Sequence, residues 1–264
     1  MDLFLKGKTA LVTGGGGGLG AGICEALAAE GVNVAVADIN QQAAARIAAK
    51  VGGLPLVMDV RRKEHIDTAM DRIEQMFGAM HIIVSNVGLT LPDYLIDMAD
   101  QDIDTTFEVN MRGPLQLVRA GAPLLAKAGW GRLIFIGSGS GMKASAGLGV
   151  YSASKYFLHG LTVTAASELG PKGITANIVC PSDIYPEGEN PAGSWRNSRL
   201  MEISMQKEAV DNFEALKTKR IGRTPVRRGC TVQDIADTVT FLASPRADFI
   251  NAQVIGVNGG LLPN

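Results

Sequence analysis

Short apolar runs alternate with longer amphipathic segments along almost the whole chain. The apolar runs are rich in β-branched and aliphatic residues and are bounded by glycine or polar residues, which is typical of buried strands. The predicted strands are residues 9–12, 32–37, 54–58, 81–84, 133–136, 175–179 and 253–257. The amphipathic segments predict helices at residues 18–30, 41–51, 63–77, 102–126, 151–169 and 231–243. Each strand except the last is thus followed by a helix.

This alternation determines the predicted fold class. Strands separated by helices of this length indicate βαβ units, in which the strands run parallel and helices cover both faces of the sheet. We therefore predict an α/β fold: a single doubly wound Rossmann-type domain over residues 1–264, with a seven-stranded parallel sheet. Residues 182–220 interrupt the rhythm because they are rich in Pro, Gly, Glu and Arg. A long insertion at this point predicts a substrate loop or lid.

Composition and charge exclude several classes of function. The 264 residues are 46% hydrophobic with a formal net charge of −1, which allows a large core and gives no electrostatic signature of nucleic-acid binding. Apolar runs fall short of the roughly 18 residues of a membrane span, and the first residues do not follow the signal-peptide pattern. Three scattered cysteines and three histidines without ligand spacing argue against disulfides and a metal. We expect a cytoplasmic protein without metal, nucleic-acid or membrane partners.

A glycine run follows the first predicted strand and precedes the first helix. Gly14, Gly18 and Gly20 stand in the order T-G-x-x-x-G-x-G, which suits close approach of backbone N–H groups to a pyrophosphate. The alternative is a merely flexible tract. Asp38 ends the second strand, where a carboxylate accepts hydrogen bonds from the adenosine ribose and repels a 2′-phosphate. The pair predicts NAD rather than NADP. Asp59, after the third strand, can bind the adenine amino group or cap the next helix.

A second group of residues suits proton transfer. Tyr151 and Lys155 are four residues apart on one predicted helix, so their side chains share a face. A lysine ammonium beside a phenol favours the phenolate, which makes the tyrosine a general base for an alcohol or, protonated, an acid for a ketone. An exposed surface pair is the alternative. Ser138, thirteen residues upstream in a glycine-rich turn, can polarise the substrate oxygen, and Ser140 is a near-equivalent candidate.

Taken together, these motifs resemble the short-chain dehydrogenase/reductase family over essentially the full length of the chain. The set also includes Asn86-Val87-Gly88 after the fourth strand, Asn110 in the following helix, and Asn177-x-Val179-x-Pro181 at the sixth strand. The resemblance implies that Tyr151 is the acid/base, that Lys155 assists it and holds the nicotinamide ribose, and that Ser138 orients the substrate. It also implies that Asn110 anchors a water in a proton relay.

The resemblance further implies a set of cofactor-binding residues. They are Gly14, Gly18, Leu19, Gly20, Asp38, Asp59, Val60, Asn86, Tyr151, Lys155, Pro181 and Ile184. The chain departs from the family pattern at several positions near this set. Ser85 and Ser182 replace an asparagine and a glycine, and Pro186 stands where many members have a threonine near the carboxamide and the pyrophosphate. Because proline supplies neither a hydroxyl nor an N–H, the contacts of this loop are expected to differ from those of the family.

The predicted substrate loop is polar, which favours a hydrophilic substrate. Its Trp195, Arg196 and Arg199 are candidate substrate residues, and the two arginines can clamp an anion or pair with Glu202 or Glu189. The tryptophan-arginine run resembles family members that act on sugars, polyols and sugar phosphates. We therefore predict an NAD-dependent dehydrogenase of such an alcohol, assembled as a tetramer or dimer. The alternatives are a reductase of a small ketone or 3-oxoacyl thioester, and a non-catalytic dinucleotide-sensing protein.

Overall fold

The computed structural model describes residues 2–185 and 197–262. Within them, seven strands form one sheet. The strands are β1 Thr9–Thr13, β2 Asn33–Asp38, β3 Leu54–Val57, β4 Ile82–Ser85, β5 Gly131–Ile136, β6 Ile174–Pro181 and β7 Val254–Val257. All pair in parallel in the order β3-β2-β1-β4-β5-β6-β7. The predicted seven-stranded parallel sheet is confirmed.

Helices connect these strands and cover the sheet. They are α1 Gly18–Ala29, α2 Gln41–Val51, α3 Lys63–Phe77, α4 Asp100–Phe107, α5 Gly113–Lys127, α6 Gly149–Leu169, α7 Ser198–Glu208, α8 Phe213–Arg223 and α9 Val232–Leu242. Among the described residues, none of the helices is both long and apolar enough to cross a membrane. The described part of the chain also contains no group of three side chains suited to hold a metal ion.

The core lies in two layers, one on each face of the sheet. Successive strand residues point to opposite faces, so Val12 packs in one layer and Leu11 in the other. The first layer packs against α1, α2 and α9, and the second against α3, α5 and α6. The chain changes direction across the sheet between β1 and β4. A crevice opens outside the carboxyl ends of the strands at this switch point, where such folds bind ligands.

Two predicted segments differ from the structure. The single helix predicted over residues 102–126 is divided into α4 and α5 by a π-helical turn, Glu108–Arg112. The segment 182–220, predicted as a loop, contains α7 and most of α8. Each of these helices begins after an asparagine whose side chain accepts a hydrogen bond from the first turn, Asn197 from the Leu200 N–H and Asn212 from the Ala215 N–H. Polar caps of this kind stabilise short helices.

Candidate active site

The glycine run forms a tight turn between β1 and α1. Gly14 and Gly18 have φ angles of +65° and +54°, which non-glycine residues rarely adopt. A Cβ on Gly20 would lie 2.0 Å from the Gly14 carbonyl oxygen, so only glycine allows this approach of helix and loop. Within the described residues, no side chain caps α1, and its first turn contains no acidic residue. The helix N-terminus therefore remains suited to an anion, and this geometry fits the pyrophosphate of a dinucleotide.

Asn86 fastens the glycine turn to the end of β4. Its side-chain Nδ2 donates to the Thr13 carbonyl at 2.9 Å and to the Gly14 carbonyl at 3.3 Å, and its backbone N–H donates to the Thr13 hydroxyl at 3.0 Å. Thr13 is a residue that the sequence analysis missed as part of this site. The amide of Asn86 thus holds the loop that forms the predicted ribose-binding end of the crevice.

Asp38 lies beside the glycine turn at the end of β2. One carboxylate oxygen accepts from the Gly16 N–H at 3.0 Å, and the other from the Asn40 N–H at 2.9 Å. These bonds fix the orientation of the carboxylate, and its contact with the adenosine ribose stays a prediction. The Arg46 guanidinium, from α2, donates to the Gly16 carbonyl at 2.9 Å. The sequence argument for NAD rested on the Asp38 carboxylate and did not foresee an arginine from α2 at this point.

Asp59 and Val60 follow β3 at the edge of the crevice. The Arg61 side chain donates to both oxygens of the Asp59 carboxylate, and this hydrogen bonding lowers the pKa of Asp59. The N-cap of α3 is Arg62, so the alternative in which Asp59 caps this helix is wrong. Val60 is buried against Gly113, where a Cβ would lie 2.9 Å from Val60 Cγ2. The adenine contact of Asp59 and the cofactor contact of Val60 stay predictions.

Tyr151 and Lys155 lie in the first two turns of α6. The Lys155 Nζ is 5.7 Å from the centre of the Tyr151 ring and donates to the Ile136 carbonyl at 2.9 Å. Lys155 is only 4% exposed, so its ammonium is held in place at the end of β5. Gly88 lies close above it, since a Cβ there would be 3.0 Å from the Nζ. The buried cation beside the phenol is the arrangement that the four-residue spacing predicts.

Ser138 is positioned by the short turn that follows β5. Its hydroxyl oxygen accepts a hydrogen bond from the Ser140 N–H at 3.1 Å, which fixes the side chain and leaves the O–H able to donate. The turn packs closely on α6, because a Cβ on Gly141 would lie 2.9 Å from the Lys155 Cβ. Ser138 and Ser140 both line the crevice. The assignment of the substrate-orienting role to Ser138 stays a prediction.

Asn110 lies in the π-helical turn and is almost completely buried. Its side-chain oxygen accepts from the Leu89 N–H at 2.9 Å, and its Nδ2 donates to the Leu89 carbonyl at 2.9 Å and to the Ser154 hydroxyl at 3.0 Å. Ser154 in turn donates to the Tyr151 carbonyl at 2.7 Å. The side chain thus joins the loop after β4 to the turn that carries Tyr151, and a water relay through Asn110 would use its backbone carbonyl.

These elements enclose a cleft of about 710 Å³ at the carboxyl ends of the strands. Its lining includes Leu19, Asn86, Ser138, Ser140, Tyr151, Lys155, Pro181 and Ile184. Pro181 ends β6, and Ile184 forms an isolated parallel bridge with Cys230. The cleft therefore joins the predicted dinucleotide-binding turn to the proton-transfer residues, with space for a small molecule between them.

Arg199 is engaged in ion pairs rather than directed into the cleft. Its guanidinium lies 2.9 Å from the Asp93 carboxylate and 3.0 Å from the Glu202 carboxylate. This agrees with the predicted alternative of pairing with Glu202, and Asp93 is an additional partner from a distant loop. Trp195 and Arg196, the other two predicted substrate residues, and Pro186 lie outside the described residues.

Comparisons with known proteins agree with this geometry. A family model described as short chain dehydrogenase matches residues 8–197, and one described as Enoyl-(Acyl carrier protein) reductase matches residues 198–262. The chain is 32% identical to an L-2,3-butanediol dehydrogenase of Corynebacterium glutamicum, over 97% of this chain and 99% of that protein. It is 31% identical to a 3-oxoacyl-(acyl-carrier-protein) reductase of Escherichia coli K12, over 97% and 98%.

The fold is also found among solved structures. A crystal structure of an NAD+-bound xylitol dehydrogenase superposes with a TM-score of 0.86 at 24% identity, covering 97% of this chain and all of that one. The full-length match to curated relatives and to the family model confirms the resemblance inferred from the motifs. The chain belongs to the short-chain dehydrogenase/reductase family and is an oxidoreductase that acts on CH–OH groups.

Proposed function

We propose that this protein is an NAD-dependent dehydrogenase that interconverts a secondary alcohol and a ketone, with a sugar, polyol or sugar phosphate as substrate. The observation that carries the proposal is the buried Lys155 ammonium, held on the Ile136 carbonyl 5.7 Å from the centre of the Tyr151 ring. A protein that only bound a dinucleotide would have no use for a phenol placed in this way.

In the proposed reaction, Tyr151 removes the hydroxyl proton of the alcohol. The fixed charge of Lys155 stabilises the phenolate that accepts this proton, and the Ser138 O–H donates a hydrogen bond to the substrate oxygen. The bound nicotinamide supplies the acceptor for the hydride from the carbinol carbon. The Lys155 ammonium would also bind the hydroxyls of the nicotinamide ribose. Tyr151, Lys155 and Ser138 thus position and activate one substrate oxygen, which accounts for specificity towards a CH–OH group.

The choice of NAD rests on Asp38. Its carboxylate is oriented by the N–H groups of Gly16 and Asn40 and would accept hydrogen bonds from both ribose hydroxyls. The same charge would repel a 2′-phosphate at close range. The neighbouring Arg46 guanidinium is bound to the Gly16 carbonyl, on the glycine turn itself.

A reductase of a 3-oxoacyl thioester or small ketone is the second candidate, because one relative at 31% identity carries that name. The cleft favours a hydroxylated substrate, since hydroxyl and amide side chains recur along it. They belong to Ser138, Ser140, Ser145, Asn197 and Ser204. Such groups offer hydrogen bonds to a polyol, and an acyl chain would leave them unpaired.

A cofactor-reduction assay tests the proposal. The enzyme is given NAD+ or NADP+ with a panel of polyols and sugars, and the reverse reaction is followed with small ketones and 3-oxoacyl thioesters. We expect Tyr151→Phe to lower kcat by about a hundredfold to ten-thousandfold, with the Kd for NADH nearly unchanged. Tyr156→Phe is the matched control, because Tyr156 is exposed on the same helix and its hydroxyl donates to the Met142 carbonyl.

The serine assignment is tested in the same assay. We expect Ser138→Ala to lower kcat strongly and Ser140→Ala to leave most of it, since only the Ser138 hydroxyl is assigned to the substrate oxygen. If Ser140→Ala lowers kcat strongly and Ser138→Ala does not, the substrate-orienting role belongs to Ser140. A panel in which only acyl thioesters react, or equal activity of Tyr151→Phe and the wild type, would contradict the proposed function.

A further inference from the structure

The charged side chains that line the cleft are unequal in number. Five are basic and two are acidic: Lys143, Lys155, Lys207, Arg220, Arg223, Asp183 and Glu208. Two of the basic groups are neutralised locally. Arg220 lies 3.0 Å from the Asp183 carboxylate, and Arg223 lies 2.8 Å from that of Glu208. Lys155 is held deep in the cleft by the Ile136 carbonyl. The remaining excess of positive charge belongs to Lys143 and Lys207.

These two lysines come from different elements that meet at the cleft. Lys207 lies in the last turn of α7, and its Nζ is 3.3 Å from the hydroxyl of Ser145. Lys143 precedes Ser145 by two residues in the loop between β5 and α6. Close packing fixes this approach, because a Cβ on Gly147 would lie 2.7 Å from Ile203 of α7. Within residues 2–185 and 197–262, neither lysine has a carboxylate partner within ion-pair distance.

We propose that Lys143, Lys207 and Ser145 form a subsite for a phosphate monoester carried by the alcohol substrate. A phosphate monoester has a charge of about −1.5 to −2 near pH 7. Two ammonium groups balance this charge better than they balance the single negative charge of a carboxylate. The Ser145 hydroxyl adds a hydrogen-bond donor. The subsite rests on the proposed function, which it narrows from sugars and polyols in general to their phosphate esters, and it assigns anion binding to residues other than Arg199, whose guanidinium is engaged in ion pairs.

The test compares a hexitol with the same hexitol esterified with phosphate at its terminal carbon. We expect the wild type to have the lower KM for the ester. Lys143→Gln and Lys207→Gln should each raise that KM by roughly tenfold, with kcat and the KM for the free hexitol almost unchanged, because each loses one charge-assisted contact. Lys172→Gln is the matched control, since it removes an exposed lysine near the start of β6, outside the cleft lining.

A binding measurement separates this inference from the proposed function. Titration calorimetry with the phosphorylated hexitol needs no turnover, and Lys143→Gln/Lys207→Gln should abolish the binding heat while NADH still binds. If neither alcohol is oxidised but the ester binds through these lysines, the dehydrogenase assignment fails and the subsite stands. Equal KM values for the two alcohols in all variants would overturn the subsite, as would activity confined to thioesters on an acidic carrier protein.

Discussion

A single carboxylate at the end of β2, that of Asp38, is the basis of the proposed preference for NAD. Asp38 takes its orientation from the backbone of the glycine turn, so its charge is fixed rather than mobile. The guanidinium of Arg46 is bound to a carbonyl of that same turn. In the proposed cofactor position, the two side chains would offer opposite charges to the 2′ position of the adenosine ribose, and we expect the carboxylate to decide because two backbone N–H groups orient it.

We expect the wild type to bind NADH at least about tenfold more tightly than NADPH, because the Asp38 carboxylate repels the 2′-phosphate. Asp38→Ala should lower the ratio of the Kd for NADPH to the Kd for NADH. The change removes the repulsion and leaves the guanidinium of Arg46 at the glycine turn. Adding Asn40→Arg should reverse the preference. Fluorescence titration of both reduced cofactors measures the ratio, with Arg46→Ala in the Asp38→Ala background as control. Tighter binding of NADPH by the wild type would show that the carboxylate does not face the ribose.

At the scale of elements, α7 covers the cleft and is attached to the loop after β4 by one side chain. Arg199 bridges the Asp93 and Glu202 carboxylates, which lie on the loop and on α7 itself. Its hydrogen bond to Asp93 lowers the pKa of that carboxyl, so the pair persists at neutral pH and is lost as the pH falls through the carboxyl titration. The ion pair adds to the close packing of α7 at Gly147 and so helps to hold Lys207 above the active site.

We expect Arg199→Ala to raise KM by a few-fold, and by the same factor for charged and neutral alcohols, because the change loosens α7 without removing a substrate contact. The pair is exposed, so the effect should shrink at high salt. The double variant Asp93→Arg/Arg199→Asp exchanges the two charges, and its KM should return most of the way to the wild-type value. Steady-state kinetics over a salt series gives the readout. A much larger rise in KM for the phosphate ester than for the neutral alcohol would show that Arg199 binds the anion.

The elements differ in how far the sequence predicts them. All seven strands are predicted because each is a short apolar run bounded by glycine or polar residues, and Gly14, Asn86 and Ser138 are found because they follow strands directly. Helices α7 and α8 were missed because the Pro and Gly residues between positions 186 and 193 made the whole polar segment 182–220 read as a loop, and only Asn197 and Asn212 signal their starts. Contacts such as Arg199–Asp93 depend on which loops meet at one edge of the sheet, which local patterns do not encode.

For the molecule as a whole, the outer surface of α6 carries exposed apolar side chains. Val163 is 52% exposed and Tyr156, seven residues earlier on the same face, is 45% exposed. Leu115 of α5 and Phe107 of α4 add further exposed apolar area on adjacent helices. Apolar area of this kind on packed helices marks a surface for association.

We expect the protein to form a homodimer or homotetramer through this surface. Val163→Asp should shift the assembly to a smaller species, because it places a charge in an apolar contact, whereas Met76→Asp on α3 should leave the assembly size unchanged. Light scattering coupled to size-exclusion chromatography measures both. A monomeric wild type would remove the basis for this proposal, and an unchanged Val163→Asp would place the contact elsewhere.

The π-helical turn between α4 and α5 has a chemical consequence for the backbone carbonyl of Asn110. An α-helix would satisfy the Asn110 carbonyl with the N–H of residue 114, but residue 114 is a proline, whose ring nitrogen carries no hydrogen. The proline therefore removes one α-helical backbone hydrogen bond, which is worth roughly 0.5–1.5 kcal/mol. We expect the Asn110 carbonyl, which has no α-helical donor at residue 114, to accept a hydrogen bond from the water of the proposed proton relay through Lys155.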